Sequence, residues 1–162
     1  NNATRQAQSF VEAISTENET VEQNNQQALI HIFDHLDRLR HRALQHERIA
    51  AAVQEVSLKD RGLKLGALMR SFAQEEDIRY FASEANALRR DFRDFRERYR
   101  AEQIRLVASH SRELQNLSLL LDSARWLQRS AYHLWRIADL LRAIEAEQPP
   151  RSVEDLLAEE TD

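Results

Sequence analysis

Three histidines near the start of the chain have the spacing of a possible metal site. On one ideal helix, His31, His35 and His46 project within about 60° of one another. A His-x-x-x-His pair can chelate zinc from adjacent helical turns, and Asp34 is a candidate third ligand. No histidine of the chain has Glu three residues before it, as a di-iron bundle requires. We therefore predict no metal site. Structural histidines or a pH-responsive interface remain the alternatives.

A second cluster combines arginine with aromatic residues. Seven arginines fall between residues 89 and 105, interleaved with Phe92, Phe95 and Tyr99. Such a mixture can contact anionic headgroups or single-stranded nucleic acid. The aromatic spacing, however, is that of a helix core, and neighbouring acids can pair with the arginines. We expect an ion-paired surface, and we select four arginines as the candidate contacts for an anionic partner: Arg89, Arg93, Arg96 and Arg100.

Nothing in the sequence indicates catalysis. The chain has no cysteine, which excludes thiolate catalysis, and its two glycines cannot build a phosphate-binding loop. His110 and His133 are interpreted as packing or capping residues. The net charge of −4 argues against bulk nucleic-acid binding. No apolar run approaches the roughly 18 residues of a membrane span, and no signal peptide is recognisable. We predict a protein that is not an enzyme and binds no cofactor.

The scarcity of helix breakers predicts the fold class. The only glycines are Gly62 and Gly66, and the only prolines are Pro149 and Pro150. We expect an all-α, elongated antiparallel bundle of three or four long helices with coiled-coil-like packing, followed by a short C-terminal helix. The bundle would span residues 1–148, with 1–27 as a polar helical lead-in. Residues 149–162 would form a Pro-Pro break and a short acidic helix or tail.

The breaks between helices are predicted from caps and from the glycines. The first helix should run from about residue 4 to Val56. Ser57 to Asp60 has the form of a capping box, and the glycines after it suggest the main internal turn. Further breaks are expected at Glu75–Asp77 or at Ser109–Ser111, since one uninterrupted helix would be too long for a compact domain.

Residues 117–144 carry the most regular pattern. Alanines 124, 131 and 138 and leucines 120, 127, 134 and 141 each repeat every seven residues, which predicts a close-packed seam. Apolar residues cover more of this helix than one seam needs. It is either the central helix or a helix that also contacts another molecule. The candidate interaction residues are Trp126, His133, Trp135, Ile137, Leu140 and Ile144.

These patterns lead to three functional expectations. The first is a non-enzymatic interaction, scaffold or regulatory module of a larger protein, which binds a protein partner or self-associates. The second is an extracytoplasmic helical sensor domain of a bacterial receptor. The third is a bundle that targets anionic membranes through helix ends such as Arg38, Arg40 and Arg42.

Overall fold

The computed structural model describes the backbone of residues 2–72, 74, 77–110 and 116–152, and it describes side chains from Thr20 onward within these ranges. The described residues are all-helical, without strands. The helices are α1 (Asn2–Ala43), α2 (His46–Gln54), α3 (Val56–Phe72), α4 (Ile78–Ala108) and α5 (Leu117–Glu145). Within this part of the chain, no helix has a stretch long and apolar enough to cross a bilayer.

The first predicted helix is broken twice, which corrects the expectation of one helix to Val56. Gln45 (φ −84°, ψ 66°) separates α1 from α2, and Glu55 (φ −93°, ψ 118°) separates α2 from α3. Both residues have a negative φ, so neither break needs the positive φ that glycine adopts readily. The break at Gln45 leaves the last backbone carbonyls of α1 without their usual partners one helical turn later. The indole nitrogen of Trp126 donates to one of them, the carbonyl of Arg42, at 3.0 Å. The same carbonyl accepts from the backbone N–H of Gln45 at 3.1 Å, so a local bond and a tertiary bond meet at this helix end.

The predicted turn at the glycines is wrong. Gly62 and Gly66 lie inside α3, and neither has a positive φ. The predicted capping box is also wrong, because α3 already starts at Val56 and the carbonyl of Glu55 accepts from the backbone N–H groups of Leu58 and Lys59. A methyl group added at Gly62 would lie 4.0 Å from Leu127 of α5, an ordinary van der Waals contact.

The other predicted breaks are present. Helix α4 begins after Asp77, whose carboxylate accepts from the backbone N–H groups of Arg79 at 2.9 Å and Tyr80 at 3.2 Å. It ends at Ala108, and His110 follows in a left-handed conformation with φ 58°. Ser111, the last residue of the predicted break, lies outside the described residues.

Helix α5 lies at the centre of the helical packing. It contacts α1, α2, α3 and α4. Of the predicted alanine and leucine seam, five residues are buried and Leu120 and Leu141 are partly buried. The five buried members are Ala124, Leu127, Ala131, Leu134 and Ala138. The heptad pattern thus provides the surface on which the other helices pack.

The helical part ends before the two prolines. Helix α5 ends at Glu145, and Glu147 takes a positive φ of 52°. The chain continues without helix through Pro149 and Pro150, and Arg151 turns back onto α5. The predicted acidic helix falls mainly on residues 153–162, outside the described residues, and the division at residue 148 stays a prediction.

The helical setting of the glycines predicts the effect of replacing one. Gly66→Ala should raise the free energy of unfolding by about 0.5–1 kcal/mol, because alanine loses less backbone entropy in a helix. The added methyl would meet only the Arg70 guanidinium at 3.5 Å. Urea unfolding followed by circular dichroism measures the change. The reverse substitution at the exposed neighbour, Ala67→Gly, should destabilise by a similar amount. Destabilisation by Gly66→Ala would indicate a turn.

Candidate functional site

A buried carboxylate on α5 gathers three arginines. Asp139 is 2% exposed. It accepts from Arg136 at 3.2 Å and from Arg142 at 3.2 Å, and the Nε of Arg151 donates to it at 3.1 Å. Arg136 and Arg142 lie one turn away on either side along α5, whereas Arg151 arrives from beyond the prolines. A buried carboxylate is retained in this way only with charged hydrogen-bond partners.

The indole of Trp135 lies beside this cluster and stacks against further guanidinium groups. The Cζ of Arg89, from α4, lies 4.1 Å from the ring centroid, and Arg151 lies at 5.6 Å. Trp135 is 1% exposed and Arg89 is 4% exposed. Desolvated cation–π contacts of this kind are worth up to about 2 kcal/mol. They join α4, α5 and the segment after Pro150 into one packed unit.

Two histidines form a direct contact between α1 and α5. The Nδ1 atoms of His35 and His133 are 2.9 Å apart, so one ring donates and the other accepts when both are neutral. Tyr132 packs edge-on against both rings. Burial lowers the pKa of His35 to about 4, and the Arg136 charge adds to the effect. Burial, followed by the His35 interaction, lowers the pKa of His133 to about 4. Both rings are therefore neutral at pH 7.

A cleft of about 700 Å³ opens above the histidine pair. One wall is α1 and the other is α5, with Arg96 of α4 and residues 150–152 contributing to the edges. Asp34 lines the α1 wall, and a hydrogen bond from Arg38 lowers the pKa of its carboxyl. This cleft, which we call the arginine cleft, contains five arginines: Arg38, Arg96, Arg129, Arg136 and Arg151.

The predicted interaction residues do not form one exposed surface. Trp135, Leu140, Ile137 and His133 are between 0 and 5% exposed, in the interior of the bundle. Ile137 and Leu140 pack against Ala28 and Ile32 of α1. Of the six, only Trp126 and Ile144 are partly exposed. The wide apolar coverage of α5 is explained by the helices of its own chain.

The four predicted anion-contact arginines lie on one stripe of α4 but in different environments. Arg89 is buried on Trp135, and Arg93 pairs with Asp94 at 3.3 Å. Arg96 donates to Gln128 of α5 at 2.8 Å and lines the arginine cleft. Arg100 lines a separate concavity together with Arg96. Only Arg96 of this set therefore reaches the arginine cleft.

The three histidines that the sequence spacing placed on one helix face do not all lie together in the fold. His31 and His35 line the arginine cleft, but His46 begins α2 and does not line it. Among the described residues, no group of three His, Asp or Glu side chains is placed to hold a metal ion. The partner of His35 is His133, which is 98 residues away in sequence.

Five residues that organise this region were not predicted from the sequence: Asp139, Arg136, Arg142, Arg151 and Arg129. One signal was present, because Asp139 is a single acid within the apolar run Leu134–Leu141 and has arginines three residues before and after it. A lone charge on a buried helix face requires a partner. The return of Arg151 to Asp139 has no local sequence signal.

Removing the buried carboxylate should destabilise the fold strongly. Asp139→Asn is expected to lower the free energy of unfolding by about 3 kcal/mol, because the arginines that it neutralises stay partly buried without a counter-charge. Asp94→Asn is the matched control. Its carboxylate is 59% exposed and pairs with Arg93, so a loss below about 0.5 kcal/mol is expected. Equal losses in urea unfolding of the two variants would contradict the central role of Asp139.

The histidine pair should make stability depend on pH. Because each folded-state pKa is about 4 and the ordinary value is 6.5, the unfolded chain binds more protons between these values. The stabilisation is complete above pH 6.5 and is lost as the pH falls towards 4. Allowing for partial exposure, we expect a loss of about 1–2 kcal/mol between pH 7 and pH 5.

Urea unfolding at pH 7 and pH 5 tests this. The double variant His35→Gln/His133→Gln should lose most of the pH dependence, whereas His41→Gln, at an exposed site on α1, should keep it. An unchanged pH dependence in the double variant would show that other groups cause it.

No family model, curated protein or solved structure matches this chain.

Proposed function

We propose that this chain is a non-enzymatic helical-bundle interaction module that self-associates through α1. In this proposal the module is an elongated antiparallel bundle, and the α1 helices of two copies pair in a coiled-coil-like manner. The observation that carries the proposal is an exposed apolar stripe on α1 with the spacing and symmetry of a helix-pairing seam.

The contacts of α1 support an antiparallel arrangement with α5. Arg42 contacts Trp126, His35 contacts His133, and Ala28 packs in the same cluster as Leu140. Along these contacts the residue numbers of α5 increase while those of α1 decrease, as they do in antiparallel helices. At 1.5 Å per residue, the 42 residues of α1 extend for about 63 Å and the 29 residues of α5 for about 43 Å. The N-terminal part of α1 therefore extends beyond the end of α5.

Helix α1 has few neighbours among the described helices, since its main contacts are with α5. Ala28, Ile32, His35 and Leu39 face α5, where they are buried or partly buried. Beside that stripe, apolar side chains remain open. Phe33 is 68% exposed, and Leu29 and Leu36 are each 46% exposed. Exposed apolar side chains in a contiguous stripe indicate an interaction surface.

The exposed stripe has heptad spacing. Its members lie alternately four and three residues apart, which keeps them on one face of the helix. We call this set the α1 seam: Glu22, Gln26, Leu29, Phe33, Leu36 and Arg40. Apolar residues form its middle, and opposite charges form its two ends. The arginine cleft lies on the other flank of the buried stripe.

The α1 seam is complementary to a second copy of itself. In an antiparallel pair with its two-fold axis near residue 31, Leu29 of one copy faces Phe33 of the other. The same register places Gln26 opposite Leu36 and Glu22 opposite Arg40. Residues 1–27 contain four Glu and one Arg, whereas residues 38–42 contain three Arg and no acid. The pairing therefore joins an acidic end to an arginine-rich end, where Arg40 also pairs with Asp37 of its own chain, and this favours a second copy as the occupant.

The two alternative functions have weaker support. In the set proposed for membrane contact, Arg38 and Arg40 already pair with Asp34 and Asp37 at 2.8 and 3.1 Å. The sensor-domain alternative is favoured by one observation, the arginine cleft, which has the size of a small-molecule site. Both remain proposals.

Sedimentation of the α1-seam variants tests self-association. The unmodified chain should form a dimer, and Phe33→Glu should weaken it by roughly thirtyfold or more, because a charge would be buried at the centre of the interface. The control is Met69→Glu, which changes an exposed apolar side chain on α3 (46% exposed, against 68% for Phe33). It should leave the dimer unchanged.

Charge reversal tests the register. Glu22→Arg and Arg40→Glu should each weaken the dimer, because each places like charges opposite one another. The double variant should restore the dimer, because position 22 is then positive and faces a negative position 40. Since the chain lacks cysteine, an equimolar mixture of Leu29→Cys and Phe33→Cys chains should form a disulfide between chains. A monomer at every concentration, or equal effects of Phe33→Glu and Met69→Glu, would refute the proposal.

A further inference from the structure

The arginine cleft concentrates positive charge in a concave site. Among the described residues that line it, five are arginines and one, Asp34, is an acid. Asp139 lies beneath and accepts from Arg136 and Arg151. Arg38 pairs with Asp34, and Arg96 donates to the neutral side chain of Gln128. Even with both carboxylates counted, the cleft keeps a clear excess of positive charge.

Arg129 is the arginine of the cleft that has no partner within the described part of the chain. It is exposed on α5, one residue after Gln128 and three before Tyr132. The positive charge near the histidine pair is also evident in its titration, since the Arg38, Arg42 and Arg129 charges all help to lower the pKa of His133. A guanidinium with free donors in a concave, positive site is suited to an oxyanion.

The floor of the cleft differs from its rim. Tyr132 and the two neutral imidazoles of His35 and His133 provide aromatic surface between the guanidinium groups. A ligand could therefore place an organic body on the aromatic floor and its charged groups on the arginines. The volume of about 700 Å³ lies within the range of small-molecule sites.

A second concavity of similar volume provides an internal comparison. It lies between α4 and α5 and is lined by Arg96, Arg100 and Arg125. There, however, two acids, Glu97 and Asp122, stand among the arginines. It also has no aromatic side chain in its lining. The arginine cleft therefore differs from this concavity in combining a clear excess of positive charge with an aromatic floor.

We propose that the arginine cleft binds a small organic anion that carries at least two negative charges, as phosphate or carboxylate groups. Arg129 and Arg96 would contact the anionic groups, and Tyr132 would contact the organic body. The same groups occur on lipid headgroups, but a concave site between two helices favours a soluble molecule over a flat membrane surface. This inference is independent of the α1 seam.

Calorimetric titration of the full chain with citrate and with ATP tests the proposal. At least one of them should bind saturably, one molecule per chain. Arg129→Gln should weaken that binding roughly tenfold, the effect of losing one charge-assisted hydrogen bond. Arg125→Gln is the matched control, because it removes an exposed arginine of the same helix that lines the other concavity. It should change the affinity by less than about twofold.

Several results would overturn the inference. One is that neither anion binds at up to about 10 mM, well above the usual range of site affinities. Another is an equal weakening by Arg129→Gln and Arg125→Gln. If the chain binds phosphatidylcholine vesicles with added phosphatidylglycerol but neither soluble anion, the arginines of the cleft contact membranes instead of a soluble ligand.

Discussion

The burial of α5 is the constraint on which the rest of this fold depends. From Ser130 to Leu140, every residue except Tyr132 is buried, so α5 must be covered on all sides. Apolar side chains favour that burial, since removing apolar surface from water contributes about 25 cal/mol per Å². The helix also carries polar groups into the interior, and each needs a partner. Those partners determine which parts of the chain come together.

The buried polar groups of α5 are satisfied in two ways, by bonds within the helix and by bonds to other parts of the chain. The hydroxyl groups of Ser123 and Ser130 donate to backbone carbonyls one turn earlier, at 2.7 and 2.8 Å, and so need no second helix. His133 depends on His35 of α1, and Asp139 depends in part on Arg151. Local bonds leave the arrangement of helices undetermined, whereas these long-range bonds define it. The polar residues of α5 thus help to determine which parts of the chain pack against it, in addition to stabilising the fold.

The same constraint explains why the two proposed binding surfaces are separate. Helix α1 uses its buried stripe to cover α5, and its two flanks are then left for other roles. One flank carries the apolar α1 seam, and the other joins α5 in the basic arginine cleft. Because the flanks differ in chemistry, self-association and anion binding can be measured separately on one chain.

The sequence by itself determined the helical class and the position of the α5 seam, and it offered Asp77 and Ser109 as alternative breaks, because these follow from local periodicity and capping. It did not determine the breaks at Gln45 and Glu55, where residues other than glycine and proline leave the helix and Trp126 donates to the carbonyl of Arg42. It also suggested a turn at Gly62 and Gly66, which lie inside α3. Only the tertiary structure decided that His35 meets His133, that Arg151 returns to Asp139, and that Trp135 is interior. Contacts across 98 residues depend on how helices pack, and helical periodicity shows which face of a helix is buried but not which helix covers it.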